Sequence, residues 1–590
     1  MVDTLTLVLA AVLGFMLAGL GAKSRGLLPD WIRLSGPIVT LHTDRGKAFL
    51  DWLARPKRFW RAWGNLGVGV ALVVMAGSFV LVLLGGLQAI ANPQPTQLTQ
   101  PRNVLAIPGV NDFLPLSAAP EIVAALLVGL VVHEGGHGLL SRVEDIEVDS
   151  MGLALFTFIP VGAFVEPDDE QRRQSSRGAQ TRMFAAGVTN NFAVAIVAFA
   201  LLFGPVAGSI AVVSGAPIAG ALPGGAAAQG GVDRGDVITS VDGTPVANAS
   251  EFEALLDETD RRTVSIALES GETATVDRSL TVVGAAPTAP FDINTTITEV
   301  NGTAVYTEPG LNAALRDREV ATLASSTGET VTTPIGAYTN VSAPSDPGPS
   351  PLADVSGLGG EAFIITAIDG ERVLDSDTLG AILDETSAGQ SVSVVGYHEG
   401  ERRSFDVELA DHPREDTGFI GVTIQPGTTG MSVDDFGVEG YPAEFFLTAI
   451  GGGSGDGLNG IQRAAFTISL PFAAVTLPSI DQPFPGFVGI YENFYVVGDG
   501  PLAFLGTGPL LLFGTLLFWV AWINVILGQF NCVPAFPLDG GHILRTSTQA
   551  VVSRLPLSDK HAATRAVTVT IGLAMLASLL ATIFAPQLLG

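Results

Sequence analysis

The stretch "LLVGLVVHEGGHGLLSRV", Leu126–Val143, closes a run of apolar residues that begins near Pro120. Its start reads as a helix in lipid, yet from His133 on it holds His133, Glu134, His137 and three glycines. An ionisable side chain at mid-membrane costs roughly 2.5–3.5 kcal/mol on insertion scales, and glycine weakens a helix further. Such residues at such a depth imply a use. On a helix, positions i and i+4 share a face, so His133 and His137 can ligate one metal ion. Glu134 then lies beside that ion, where it can take a proton from water. A catalytic centre of this kind needs a third protein ligand and keeps one position open. Composition already rules out a thiolate cage, because Cys532 is the only cysteine.

Further apolar segments surround this one. Thr4–Leu20, Leu66–Ala89, Pro120–Leu140, Phe184–Val206, Pro509–Phe530 and Val567–Ala585 each approach the ~20 residues that a spanning helix requires. The chain is 47% hydrophobic and only 15% charged, with a mean hydropathy of +0.43. The expected fold is therefore a polytopic α-helical membrane protein of about six spans, in a multi-pass cell-membrane setting. "LALFTFIPVGAFV", Leu153–Val165, is too short and too broken by Pro160 to span, and reads as a re-entrant hairpin or interfacial segment. Ala464–Val475 is similarly ambiguous. The loop Gly21–Asn65 carries nine Lys/Arg residues, which places it in the cytoplasm by the positive-inside rule. Threading onward puts the region around Arg142–Arg182 inside as well, and Gln88–Ala119 outside.

The missing ligand is sought where the apolar pattern breaks again. "NCVPAFPLDGGHILR" follows Pro509–Phe530 directly, and irregular backbone at membrane depth must be buried in protein or line a watery cavity. Asp539 is the favoured ligand and His542 its competitor. Together "HEGGH" and "NCVPAFPLDGG" resemble the site-2 protease family of intramembrane zinc metalloproteases. The resemblance implies that His133, His137 and Asp539 hold one zinc ion and that Glu134 is the catalytic base. It also implies a Gly-x-x-x-Asn helix between the two motifs, matched by Gly187 and Asn191. Val188 stands where the family often has proline. Asn191 and Asn531 are the candidates for donating to an oxyanion or clamping the substrate strand. The activity implied is cleavage of membrane-protein substrates within transmembrane segments, near the cytoplasmic face. A non-catalytic membrane scaffold or a metal-ion transporter is the alternative.

The charge sits elsewhere. Between Ala216 and Gly460 there are 38 Asp/Glu and 10 Lys/Arg, so this block carries the whole net charge of -28. It has no lysine; scarce lysine with abundant carboxylate suits high salt and a haloarchaeal source. This sign of charge argues against nucleic-acid binding. The block repeats itself: "ITSVDGTPV" from Ile238, "ITEVNGTAV" from Ile297 and "ITAIDGERV" from Ile365 share a strand, an Asp/Asn-Gly turn and a strand. With the preceding "GGVDRGDV" and the following "SEFEALLDE", the first copy resembles a PDZ domain, a fold that captures extended peptide segments or C-termini by strand addition. The expected organisation is an N-terminal pair of spans with a basic loop (1–119) and a first part of the core (120–215). An inserted α+β region follows, with PDZ-like domains at 216–283 and 346–416 flanking a degenerate copy at 284–345. A connector (417–500) and the second part of the core (501–590) complete it. The inserted region is expected outside the cell.

Overall fold

The computed structural model describes residues 4–93, 103, 107–111, 114–157, 159–343, 348–412, 416–453, 457–473 and 482–589, without the side chains of residues 4–12 and 159–161. The chain divides into two compact units, Met1–Val212 with Ala443–Gly590, and Val213–Pro442. The inserted unit therefore runs past 416, the limit expected from the repeats.

In the first unit, five helices among the described residues are long and apolar enough to cross a membrane: Lys57–Ala91, Leu116–Val143, Arg177–Ser209, Thr507–Asn531 and Lys560–Leu588. The sixth expected span, Thr4–Leu20, is helical over Thr4–Ser24, but the side chains of its first half lie outside the described residues. Ala464–Val475 resolves into a helix, Gly460–Ser469, capped by Asn459 in a reciprocal capping box, and a short 3-10 turn; residues 474 and 475 lie outside the description.

Leu153–Val165 lies in a β-hairpin, and the basic loop extends its sheet. Strands β1 (Ile32–Ser35), β2 (Ile38–His42), β3 (Val148–Phe156) and β4 (Ile159–Pro167) form one antiparallel sheet in that order. β4 is an edge strand. A helix at Asp44–Leu53, capped by the Thr43 hydroxyl, continues from β2, and its Leu50 joins a buried cluster with Leu139, Leu140 and Val143.

The second unit contains three modules of one local design. Each has a two-residue turn with positive φ at both positions: Asp242–Gly243, Asn301–Gly302 and Asp369–Gly370, as a tight hairpin of this twist requires. In each, the turn's Asp or Asn oxygen accepts a backbone N–H from the strand beyond the following helix: Ser265 at 2.8 Å, Thr322 at 2.8 Å and Ser393 at 2.7 Å. In each, a capped helix follows, under Asn248, Thr307 and Asp375. The middle copy is thus built like the others. A strand from far along the chain, Met431–Asp434, completes it.

Those late strands close the modules in reverse order. Val422–Ile424 pairs with Ala337–Val341 of the third module, and Met431–Asp434 with Thr281–Ala285 at the core of the second. Val438–Gly440 pairs with Ala216–Ala221 of the first. The modules are nested, each inside the one before. Residues 417–442, expected as connector, supply their closing strands.

Candidate metal centre

The helix Ala119–Val143 buries His133 and leaves His137 partly buried on one face. Asp539 is the first residue of a separate helix, Asp539–Val552, entered through the bend after Asn531. The three meet at one point. Asp539 Oδ2 lies 3.1 Å from Nε2 of both His133 and His137, and the two Nε2 atoms are 3.2 Å apart. Among the described residues, these three form the one group of metal-capable side chains that converges in this way.

The far nitrogens show how the rings are set. His137 Nδ1 is 2.8 Å from the Met183 carbonyl, which can only accept. His133 Nδ1 is 3.0 Å from Asn191 Oδ1. The Asn191 amide group donates to the Gly129 carbonyl at 3.3 Å and to Asn524 Oδ1 at 3.1 Å, so its oxygen must face the histidine. Asn524 is held in turn by the Val520 carbonyl at 2.8 Å. Both Nδ1 atoms therefore carry the hydrogen, and both Nε2 lone pairs point at Asp539. Asp539 Oδ2 is buried and has no hydrogen-bond donor. Two imidazole nitrogens and a carboxylate oxygen converging on one point fit a cation, and two imidazoles with one carboxylate are a zinc donor set.

Backbone geometry makes the approach possible. A Cβ on Gly187 would stand 2.8 Å from His133 Nδ1 and 2.8 Å from His137 Nε2; the glycine of the Gly-x-x-x-Asn element is there because the imidazoles are. Gly540 and Gly541 allow the bend to fold back, since a Cβ on either would meet backbone of residues 532–536 within 3 Å.

Glu134 lies between the two histidines in sequence and reaches toward β4. Its Oε2 accepts the Val165 N–H of β4 at 3.2 Å. It also lines an apolar cavity of about 860 Å³. Of the remaining expected residues, Asn191 joins the centre through His133, whereas the Asn531 amide donates to the Leu527 carbonyl of its own helix at 3.0 Å. His542 stays out of the cluster, with its ring stacked on Phe184 at 4.4 Å and edge-on to Phe536 at 4.9 Å. Asn524 was not anticipated. Its signal was available, since one buried asparagine within the apolar helix Thr507–Asn531 poses the same question as His133.

A set of span-length helices gathers an H-E-x-x-H turn and a distant aspartate into a candidate metal centre of the metalloprotease kind. The chain belongs to peptidase family M50, the site-2 protease family: the family model matches residues 121–579. Among curated proteins it is similar to an uncharacterized protein of Methanocaldococcus jannaschii, at 28% identity over 28% of this chain and 42% of that one. It is also similar to a membrane-bound transcription factor site-2 protease homolog of Arabidopsis thaliana, at 28% identity over 35% of this chain and 40% of the relative. The matches span less than half the length of either relative.

Proposed function

We propose that the protein is an intramembrane zinc endopeptidase that hydrolyses peptide bonds in or near transmembrane segments of other membrane proteins. The convergence of His133, His137 and Asp539 with Glu134 alongside carries this reading. Zinc, when bound, supplies Lewis-acid polarisation of a carbonyl and brings the pKa of a bound water to ~7. The residues of the chain do the rest. Glu134 accepts the proton of the attacking water and returns it to the leaving amine. Asn191 has both amide hydrogens engaged, so its part is to orient His133 rather than to donate to an oxyanion. A transmembrane substrate must unwind to expose its amides, and β4, which ends its sheet, offers the unwound segment a strand to pair with.

In this reading the basic loop lies in the cytoplasm and the acidic modules outside, where their carboxylates keep the surface hydrated in a high-salt, haloarchaeal setting. The nested modules are PDZ-like and sort extended substrate segments before these reach the membrane site. A metal carrier would need ligand groups at successive depths. The described residues hold one such group.

The test is a reconstituted cleavage assay with metal analysis on wild type, Glu134→Gln and Asp539→Asn. Glu134→Gln should keep its zinc and lose roughly 10²–10⁴-fold in rate, the share general base catalysis supplies. Asp539→Asn should lose zinc and rate together. Equal cleavage by all three, or a purified wild type without zinc, would overturn the proposal.

A further inference from the structure

The two wildcard positions of "HEGGH" are both glycine, and the structure explains only one of them by packing. A Cβ on Gly136 would sit 2.8 Å from the Ala186 carbonyl oxygen and 2.9 Å from Asn190 Nδ2, so helix contact demands glycine there. A Cβ on Gly135 would meet no atom within 4 Å. Alanine would fit, and would favour the helix. What lies beside Gly135 is the 860 Å³ cavity that Glu134 also lines.

We infer that this cavity is a specificity subsite that receives a bulky apolar side chain flanking the scissile bond, and that Gly135 sets its size. The inference rests on the protease reading above. Phe49, Leu53, Trp60, Phe164 and Val194 form its walls, so the lining is apolar. Most of its polar groups are already engaged. His42 bonds Ser150 Oγ at 2.8 Å and Thr40 Oγ1 at 3.1 Å, the Thr43 hydroxyl accepts from Gly46 N, and the Trp63 indole donates to Asn190 Oδ1 at 2.9 Å. A polar occupant would find few partners, whereas an apolar one loses no hydrogen bond on entering. The volume falls within the range of well-formed ligand sites and has room for a leucine or phenylalanine side chain.

The cavity is also continuous with the path of the substrate. Ala163, Phe164 and Val165 of β4 line it, and Val165 N–H is the edge amide that holds Glu134. A segment added to that edge presents every second side chain to one face. One of these enters the cavity while the adjoining peptide bond lies next to Glu134. Lipid acyl chains are the competing occupant, and the test separates the two.

Two model transmembrane substrates, differing only by Phe or Ala at the mapped residue flanking the cut, are compared in liposomes with the full-length protein. Wild type should favour the Phe substrate by about tenfold or more in kcat/KM, as a pocket of this kind discriminates. Gly135→Leu fills the cavity from the helix Ala119–Val143 and Val194→Phe from the helix Arg177–Leu201; each should bring the ratio to one or below at unchanged zinc content. If Gly135→Leu loses zinc, Val194→Phe decides alone. A ratio unchanged by filling, or a wild type without preference for Phe, overturns the subsite and leaves an acyl-chain pocket. Failure of the protease reading looks different, because wild type and Glu134→Gln would then behave alike toward both substrates.

Discussion

In the membrane core a polar side chain is the exception, and in the inserted unit it is the rule. His133, Asn191 and Asn524 are buried among apolar helices, and each has its hydrogen bonds accounted for around one point. The inserted unit has carboxylates throughout, and most of them meet water. Its exception is a buried ion pair. Arg278 donates to both carboxylate oxygens of Asp435, at 2.9 and 2.6 Å, and to the carbonyls of Leu256 and Thr259. Asp435 also accepts the Glu308 N–H at 2.7 Å. The pair therefore joins the end of the first module's helix to the start of the second module's helix. Polarity inside the lipid-facing unit gathers at one candidate site, whereas inside the acidic unit it joins two modules.

The sharpest way to break that contrast is to remove one half of the pair. Arg278→Met strands a buried carboxylate and should destabilise the inserted unit by about 3–5 kcal/mol, measured by denaturant titration of the full-length protein with limited proteolysis between modules. Zinc content should not change. Adding Asp435→Leu should recover part of the loss, though not all, because the Glu308 N–H loses its acceptor. A neutral Arg278→Met would show that the pair does not hold the modules together. Loss of zinc would show that the two units are not independent in function.

The reciprocal change is made in the core. Gly187→Ala sets a methyl group 2.8 Å from a nitrogen of each liganding imidazole, so one ring must turn. Zinc affinity should fall about a hundredfold, comparable to the upper range for loss of a ligand-orienting contact. Equilibrium dialysis against a chelator measures this, and the inserted unit's stability serves as the unaffected control. Unchanged affinity would mean that the helix shifts to accommodate the methyl, and the close approach is not what the glycine is for.

The same contrast explains what could be read from residues alone. At membrane depth each polar residue is costly, so His133, Glu134, His137 and Asp539 stood out, and the structure brings His133, His137 and Asp539 to one point. The hairpin turns were legible because positive φ at two successive positions restricts them to Asp/Asn-Gly. The nesting was not legible. Its closing strands, such as Val422–Ile424 and Val438–Gly440, are three residues long, too short to show a period, and their partners lie some 80 to 220 positions away. The sheet that β1 and β2 add to the hairpin was hidden for a related reason: the loop's nine basic residues bear only on its expected orientation and say nothing of its pairing.

The smallest expected effect separates carboxylates that are exposed from one that is half-buried. Half-buried Glu308 has its carboxyl pushed up to about 7, by burial first and then by Asp435, Asp434 and Asp257, with Arg278 opposing. Unfolding returns it to about 4.5. Between those values the folded unit holds a proton that the unfolded chain has released, so stability is full below pH 4.5 and declines as pH rises toward 7. On the order of 1 kcal/mol should disappear across that window, given partial access to solvent. Glu308→Gln should flatten the decline without changing stability at the acid end. High salt should flatten it less than it would for surface carboxylates, because a buried group is screened weakly. A slope that persists in Glu308→Gln would assign the pH dependence to the exposed acids, and the difference between the two kinds of carboxylate would disappear with it.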